Sequence, residues 1–343
     1  MRCEFLKELG FRSGYSRWVS KVRSVSLVSR GTGRTEWRGM NIECLVEAKD
    51  IVGESPLWHR EHECVYWTDV NGFKISRYCP KTRERTNWRF DVPVSAISLT
   101  TDPEWLLVAL GPRLIFWSPV GDRRVPFAQP EPDWPHNRLN DAATDPTGVF
   151  WVGSMRNNVG EDGSDQEAVG STGSLYRVTP QGDVSVVDRG FGITNTLVWS
   201  PEQTTFYCGC SVRNVIYAYD YDAKDSSVRN RRAFAENVAP GLPDGSAMDE
   251  EGCLWNCRFF GGCIVRISAT GRVVRTIPMP VSNVTNCSFG GSDLKTLFVT
   301  TASLRAGEGE KLAGGLFAMR TEVRGLEPGR FRLSASTISI LPS

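Results

Sequence analysis

A unit that recurs six times along the chain limits its fold more than any other feature. Each copy is an aromatic-rich, strand-like run, a turn, and a second run that often carries another aromatic. The pairs are Cys64–Asp69 with Lys74–Tyr78, Trp105–Ala109 with Leu114–Trp117, and Val149–Gly153 with Ser174–Val178. They continue as Thr205–Cys208 with Val215–Tyr219, Cys253–Cys257 with Cys263–Ile267, and Thr296–Thr300 with Gly315–Met319. Anchors at Trp67, Leu107, Trp151, Tyr207, Trp255 and Phe298 lie 40, 44, 56, 48 and 43 residues apart. Strand patterning at that period marks propeller blades. One blade cannot bury both of its faces, so neighbours must stack around an axis. The spacing predicts an all-β, six-bladed β-propeller. The run Ile42–Val46 is expected to join the last blade, which ties the ends together and removes an open sheet edge. Asp102-Pro103, Asp145–Gly148, Ser200–Glu202 and Asp249–Gly252 supply turn chemistry ahead of the aromatic strands.

Composition narrows the function. Lys and Arg number 40 against 39 Asp and Glu, a net charge of +1. Whole-protein electrostatics therefore gives no basis for a nucleic-acid or membrane partner. Only His59, His62 and His136 are present, which argues against a zinc site built from histidines and towards oxygen ligands. None of the ten cysteines forms C-x-x-C. Cys253, Cys257 and Cys263 invite a zinc reading, but they alternate with apolar residues as small buried hydrophobes do. Ten free thiols without a secretory apolar segment point to a reducing cytoplasm. No apolar run reaches the roughly 18–20 residues that span a bilayer. The first 40 residues hold nine Lys/Arg and three Glu, leaving 31 basic against 36 acidic residues in the remainder. Residues 1–39 read as a basic, disordered extension. A targeting segment and a start codon upstream of the true Met40 are the other two readings. Residues 40–343 read as the propeller domain.

In a propeller, polar groups at the starts of the inner strands converge on the axis although they are far apart in sequence. Four segments stand at such places: Gly53-Glu54-Ser55-Pro56, Asn137-Arg138-Leu139-Asn140-Asp141, Gly192-Ile193-Thr194-Asn195, and Gly241-Leu242-Pro243-Asp244-Gly245. Each one alone also fits an ordinary loop. Their equivalent places in four blades point to a shared cavity.

With these motifs, and Phe289-Gly290-Gly291 ahead of Leu297–Thr300, the chain resembles the gluconolactonase/regucalcin (senescence marker protein) family of sugar lactonases from about Glu43 to Arg332. The resemblance implies a divalent metal on the axis, held by Glu54, Asn195 and Asp244, with Arg138 and Asn140 contacting substrate. Two departures stand out. The family commonly has Asn-Gly where this chain has Asn195-Thr196. Some relatives carry an acidic substrate contact where this chain reads Met155-Arg156-Asn157-Asn158. The acidic loop 157–173 reads either as a cover over the mouth or as a solvated surface loop.

The implied chemistry is metal-dependent hydrolysis of an aldonolactone to the aldonic acid, of gluconolactonase or L-arabinolactonase type. Two carboxylates and an amide oxygen suit Ca²⁺, Mg²⁺ or Mn²⁺, with Zn²⁺ also open. Asp244 is the candidate general base and Asp141 the runner-up. Arg138 offers a planar donor fork to the lactone, and Asn140 can donate and accept towards the sugar. Three other readings stay open: a non-catalytic calcium-binding propeller, a hydrolase of other esters, and a protein-interaction propeller.

Overall fold

The computed structural model describes residues 34–37, 40–168 and 170–342, with side chains from Asn41 onward. Its strands form six sheets. Blade 1 is Gly53–His59, Cys64–Asp69, Lys74–Cys79 and Glu84–Arg89. Blade 2 is Val94–Thr100, Leu106–Leu110, Arg113–Ser118 and Arg123–Ala128. Blade 3 is Asn137–Thr144, Phe150–Arg156, Gly173–Val178 and Val184–Phe191. Blade 4 is Thr194–Trp199, Thr205–Cys210, Val215–Asp222 and Ser227–Glu236. Blade 5 is Leu242–Met248, Leu254–Phe259, Cys263–Ile267 and Val273–Pro278. Blade 6 is Val284–Gly290, Thr296–Thr301 and Leu316–Arg320, completed by Met40–Val46 and Arg34–Trp37. The expected closure is therefore present, with Ile42 opposite Met319. The six aromatic pairs of the sequence are the second and third strands of the blades.

The alternating side chains explain the ring. In Cys64–Asp69 every residue is buried. Tyr66 packs towards blade 2 with Ile97 and Trp117, whereas Val65 and Trp67 pack towards blade 6 with Phe298 and Leu316. Successive residues of a strand point to opposite faces, so a middle strand buried on both sides must be apolar on both. The same holds around the ring, where each of six apolar clusters fills one gap between neighbouring blades. Truncating one of these buried tryptophans would cost about 3–5 kcal/mol. An aspartate repeatedly anchors the tryptophan of the second strand. Asp145 Oδ2 accepts from Trp151 Nε1 at 3.0 Å, and Asp249 Oδ2 from Trp255 Nε1 at 2.8 Å. The Oδ1 of each accepts the backbone N–H groups of its turn. The turn and the inter-blade core are thus fixed by one side chain.

Three features depart from the sequence reading or lie beyond it. Cys64 and Cys79 are joined by a disulfide, so the expectation of ten free thiols fails. The register that sets Val65 opposite Tyr78 puts the two side by side on neighbouring strands. Arg34–Trp37 pairs with Met40–Val46 as an outer strand, while residues 1–33, 38 and 39 of the basic extension lie outside the described residues. After blade 6 the chain crosses one face of the ring. Leu326 N bonds Met248 O at 2.9 Å, Arg330–Phe331 adds a parallel strand to blade 2, and Ala335–Ile340 forms a short helix. Among the described residues no helix is long and apolar enough to cross a membrane.

Candidate functional site

The inner strand of every blade breaks register with its neighbour once. The breaks fall between Glu54 and Leu57, Val94 and Ala96, Leu139 and Ala142, Asn195 and Val198, Pro243 and Ser246, and Val284 and Asn286. A bulge inserts an unpaired residue and re-aims side chains. Glu54, Asn140, Asp141, Asn195 and Asp244 all lie at or within these bulges, so the fold turns them to the axis. Ser55 and Thr196, each following a candidate ligand, have φ of 49° and 57°. A β-branched residue in that region is strained. This explains why Gly is the easier residue after Asn195. Here Thr196 is held instead by bonds: its Oγ1 donates to Asp244 O at 2.6 Å and lies 2.9 Å from Ser246 Oγ. The departure in sequence thereby links the backbones of two candidate ligands.

The amide orientations follow from chemistry. Ser211 Oγ donates to Pro243 O at 2.6 Å, so it accepts from Asn195 Nδ2 at 2.8 Å. Asn195 Oδ1 then faces the other way, where it accepts from Asn140 Nδ2 at 3.2 Å. Asn140 Oδ1 in turn accepts from Arg138 Nη1 at 2.7 Å. On the opposite side, Asn286 Nδ2 donates to Glu54 Oε2 at 3.0 Å while its Oδ1 accepts from Cys287 N at 2.8 Å. Gly245 makes room for this: a Cβ there would lie 2.0 Å from Asn286 Cγ.

Electrostatics ties the carboxylates together. Burial, and then the Asp141 charge, raise the Glu54 carboxyl to about 8. Burial, then Glu54 and Asp141, push Asp244 well above the usual carboxylate range. Burial lifts Asp141 to about 6, against the backbone N–H groups of Ala142, Thr196 and Leu197. Burial and mutual repulsion thus act together on these three acids. Burial lowers Arg138 to about 10, and the Glu54 charge works against that change.

These residues fit a hard divalent ion. The donors are oxygens, Asn195 Oδ1 is turned outward by Ser211, and a cation would relieve the mutual repulsion of the acids. Among the described residues no three His, Cys, Asp or Glu side chains form a metal cluster. A site here therefore depends on amide oxygen as well as carboxylate.

Arg138 is more engaged than its sequence suggests. Its Nη1 donates to Leu139 O at 2.9 Å as well as to Asn140, and its Nε and Nη2 donate to Asn158 Oδ1 at 3.3 and 2.8 Å. One Nη2 hydrogen remains. Loop 157–172 spans from blade 3 to other blades: Asn71 Nδ2 of blade 1 donates to Gly163 O at 2.9 Å, and Arg305 Nε, in the long loop of blade 6, donates to Asp165 Oδ2 at 2.8 Å. The covering reading of this loop thus has physical support.

Beyond the bulges the inner strands line a cavity of about 460 Å³, to which Leu326–Gly329 of the C-terminal crossing add a further wall. Ser55, Ser98, Thr144, Ser200, Ser246 and Ser288 place one hydroxyl-bearing residue from each blade on its wall, and Asp141 and Asn286 are shared with the axis. Sequence reasoning missed Asn286, and it marked Thr196 and Asn158 only as departures from the family pattern, without a role. Asn286 was accessible by blade equivalence, because it sits at the bulge of blade 6.

Comparison with known proteins agrees with this fold. Residues 52–303 match the SMP-30/Gluconolactonase/LRE-like region. The chain is 31% identical over 299 residues to the pentonolactonase XacC of Haloferax volcanii, covering 83% of this chain and 96% of that protein. It is 31% identical over 268 residues to regucalcin of Danio rerio, covering 77% and 87%. Among solved structures, a luciferin-regenerating enzyme matches with a TM-score of 0.79 at 30% identity, over 86% of this chain and 100% of that one. The chain belongs to the SMP-30/gluconolactonase/LRE-like family.

Proposed function

We propose that the protein hydrolyses a sugar lactone, an aldonolactone, to its aldonic acid with the help of one divalent metal ion held by Glu54, Asn195 and Asp244. The observation that carries this reading is the set of inner-strand bulges that bring together two mutually repelling acids, half-buried Glu54 and buried Asp244, and an oriented amide oxygen. The relative named pentonolactonase supports the reaction class. Ca²⁺, Mg²⁺, Mn²⁺ and Zn²⁺ all fit the donor set.

Ester hydrolysis needs an activated water, a polarised carbonyl and a stabilised oxyanion. A bound divalent ion supplies carbonyl polarisation and a more acidic water. Asp244 accepts the proton of the attacking water and returns it to the ring oxygen as the lactone opens. Asp141 is the weaker candidate for base, because it accepts from Ala142 N at 3.0 Å and opens onto the far cavity. Asn140 and Arg138 orient the sugar. The Cys64–Cys79 disulfide removes the ground on which the cysteines pointed to a reducing cytoplasm.

Asp244→Ala and Asn195→Ala should each lower metal-dependent lactone hydrolysis at least about 100-fold while circular dichroism stays that of the parent. Parent-like rates in both would refute the axial mechanism. Similarity to proteins named regucalcin favours a second reading, a calcium-binding propeller without catalysis. It predicts metal binding with no hydrolysis above the spontaneous rate.

A further inference from the structure

The strand position that holds Glu54, Asn195 and Asp244 recurs in every blade, and two blades fill it with a hydroxyl. Asn140, Asn195 and Asp244 each stand five residues ahead of the side chain that anchors the next turn. Asp145 Oδ1 accepts from Thr147 N at 2.8 Å, Ser200 Oγ from Thr205 N at 3.2 Å, and Asp249 Oδ1 from Glu251 N at 3.0 Å. In blade 2 Thr100 Oγ1 accepts from Asp102 N at 3.1 Å, and in blade 1 His59 Nδ1 accepts from His62 N at 3.2 Å. Five residues ahead of these two stand Ser95 and Glu54. Ser95 is also the residue at which blade 2 breaks register, between Val94 and Ala96. Thr285 holds the same place in blade 6, within the break between Val284 and Asn286. The two hydroxyls differ in their bonding. Thr285 Oγ1 donates to Gly53 O and lies 2.9 Å from Thr300 Oγ1. Ser95 is 4% exposed, and its Oγ has no hydrogen-bond partner among the described residues. A buried hydroxyl without a partner is costly, so it needs an explanation in the function of the site.

We propose that Ser95 is a catalytic residue of the lactonase reaction, donating its O–H to the lactone carbonyl oxygen as that oxygen becomes the tetrahedral oxyanion. The inference rests on the lactonase reading above and adds a residue to it. The candidate metal ligands come from blades 1, 4 and 5, which leaves the arc through blades 2 and 3 for the substrate. Ser55 Oγ accepts from Ile97 N at 3.0 Å, and Ser98 Oγ lies 2.7 Å from Thr144 Oγ1. Blade 2 is therefore seated directly between the blade of Glu54 and the blade of Arg138 and Asn140. Ser95 stands between a candidate ligand and the residues that orient the sugar, which is where the ester of a bound lactone lies. In the first step the oxygen of water bonds to the carbonyl carbon, the proton of water passes to Asp244, and the π pair moves onto the oxygen that Ser95 faces. On collapse that pair returns, the ring C–O bond breaks, and the ring oxygen takes the proton from Asp244. Ser95 keeps its own proton throughout. It is not a nucleophile, because an attacking serine needs a base bonded to its hydroxyl and Ser95 Oγ has none among the described residues.

The test is Ser95→Ala, assayed on the metal-loaded protein with D-glucono-1,5-lactone and D-galactono-1,4-lactone. Loss of one oxyanion donor should lower kcat about 100-fold, with KM changed by less than about 3-fold. Two further readouts separate chemistry from structure. The Tm of the metal-free variant should equal or exceed that of the parent, because no bond within the protein is lost. Calorimetric affinity for whichever of Ca²⁺, Mg²⁺, Mn²⁺ and Zn²⁺ supports hydrolysis should match the parent's. A parent-like kcat, a loss confined to KM, a lower Tm, a variant that does not fold, or weakened ion binding would each overturn the proposal and leave the lactonase reading standing. If the parent hydrolyses neither lactone above the spontaneous rate with any of the four ions, the lactonase reading falls and the proposal with it.

Discussion

The two ends of the axis are built from the same six inner strands, yet they differ in kind. At the start of the strands Glu54, Asn195 and Asp244 face one another with raised acid pKa values. A few residues further on, past the bulges, the walls carry Ser55, Ser98, Thr144, Ser200, Ser246 and Ser288. The hydroxyls there are satisfied locally: Ser98 Oγ lies 2.7 Å from Thr144 Oγ1, and Ser55 Oγ accepts from Ile97 N at 3.0 Å. One end is electrostatically frustrated and the other is at rest. The difference teaches that the fold alone does not require charge at the centre. Hydroxyls suffice to line an axis, so the acids at the other end need a functional reason.

That contrast can be broken experimentally. The largest effect should come from Glu54→Gln, which keeps the shape and the Asn286 contact but removes a charge. Metal affinity, measured by calorimetry, should fall about 100-fold or more. An unchanged affinity would remove Glu54 from the ligand set. Thr196→Val should come next, lowering metal affinity about 10–100-fold by freeing Asp244 O from its 2.6 Å bond. Thr196→Ser should restore most of it, and a serine variant no better than valine would assign Thr196 to packing alone.

The third effect is in pH. Glu54 rises from its ordinary 4.5 to about 8, and Asp141 from 3.8 to about 6. Groups whose carboxyl pKa is raised by folding bind more protons in the native state than in the unfolded one. Their contribution is therefore fully present below the unfolded pKa and is lost as pH rises through the folded one. The Tm of metal-free protein should fall between pH 5 and 8, by an amount that calcium reverses and Glu54→Gln reduces. A Tm that rises over this window would contradict the frustrated centre. The smallest effect belongs to the far end. Ser98→Ala should cost about 1 kcal/mol of stability and leave kcat/KM unaltered. A large loss of activity would show that the two ends work as one.

The same contrast explains what could be read in the sequence. The second and third strands were legible because they are buried on both faces, as with Tyr66 and Trp67 pointing to different neighbours. The polar segments that hold the candidate ligands were legible because charged and amide residues interrupt otherwise apolar inner strands at equivalent places, whereas the ligand roles came from the family resemblance alone. Outer strands such as Glu84–Arg89, largely exposed, carry no such pattern. The Cys64–Cys79 bond depends on a register that sequence does not print. The roles of Thr196 and Asn158 arise from contacts with Asp244 O and the Arg138 guanidinium, pairs separated by 48 and 20 residues. Position and partner had to be known before their chemistry could be.

The central claim is that the frustrated end of the axis is a metal-dependent lactonase site. Its most direct test strips the protein with EDTA and measures lactone hydrolysis before and after adding Ca²⁺, Mg²⁺, Mn²⁺ or Zn²⁺, in the parent and in Asp244→Ala. The account predicts a rate near the spontaneous one in the stripped parent, recovery with at least one ion, and no recovery in the variant. Full hydrolysis by the stripped parent, or equal recovery in Asp244→Ala, would contradict it.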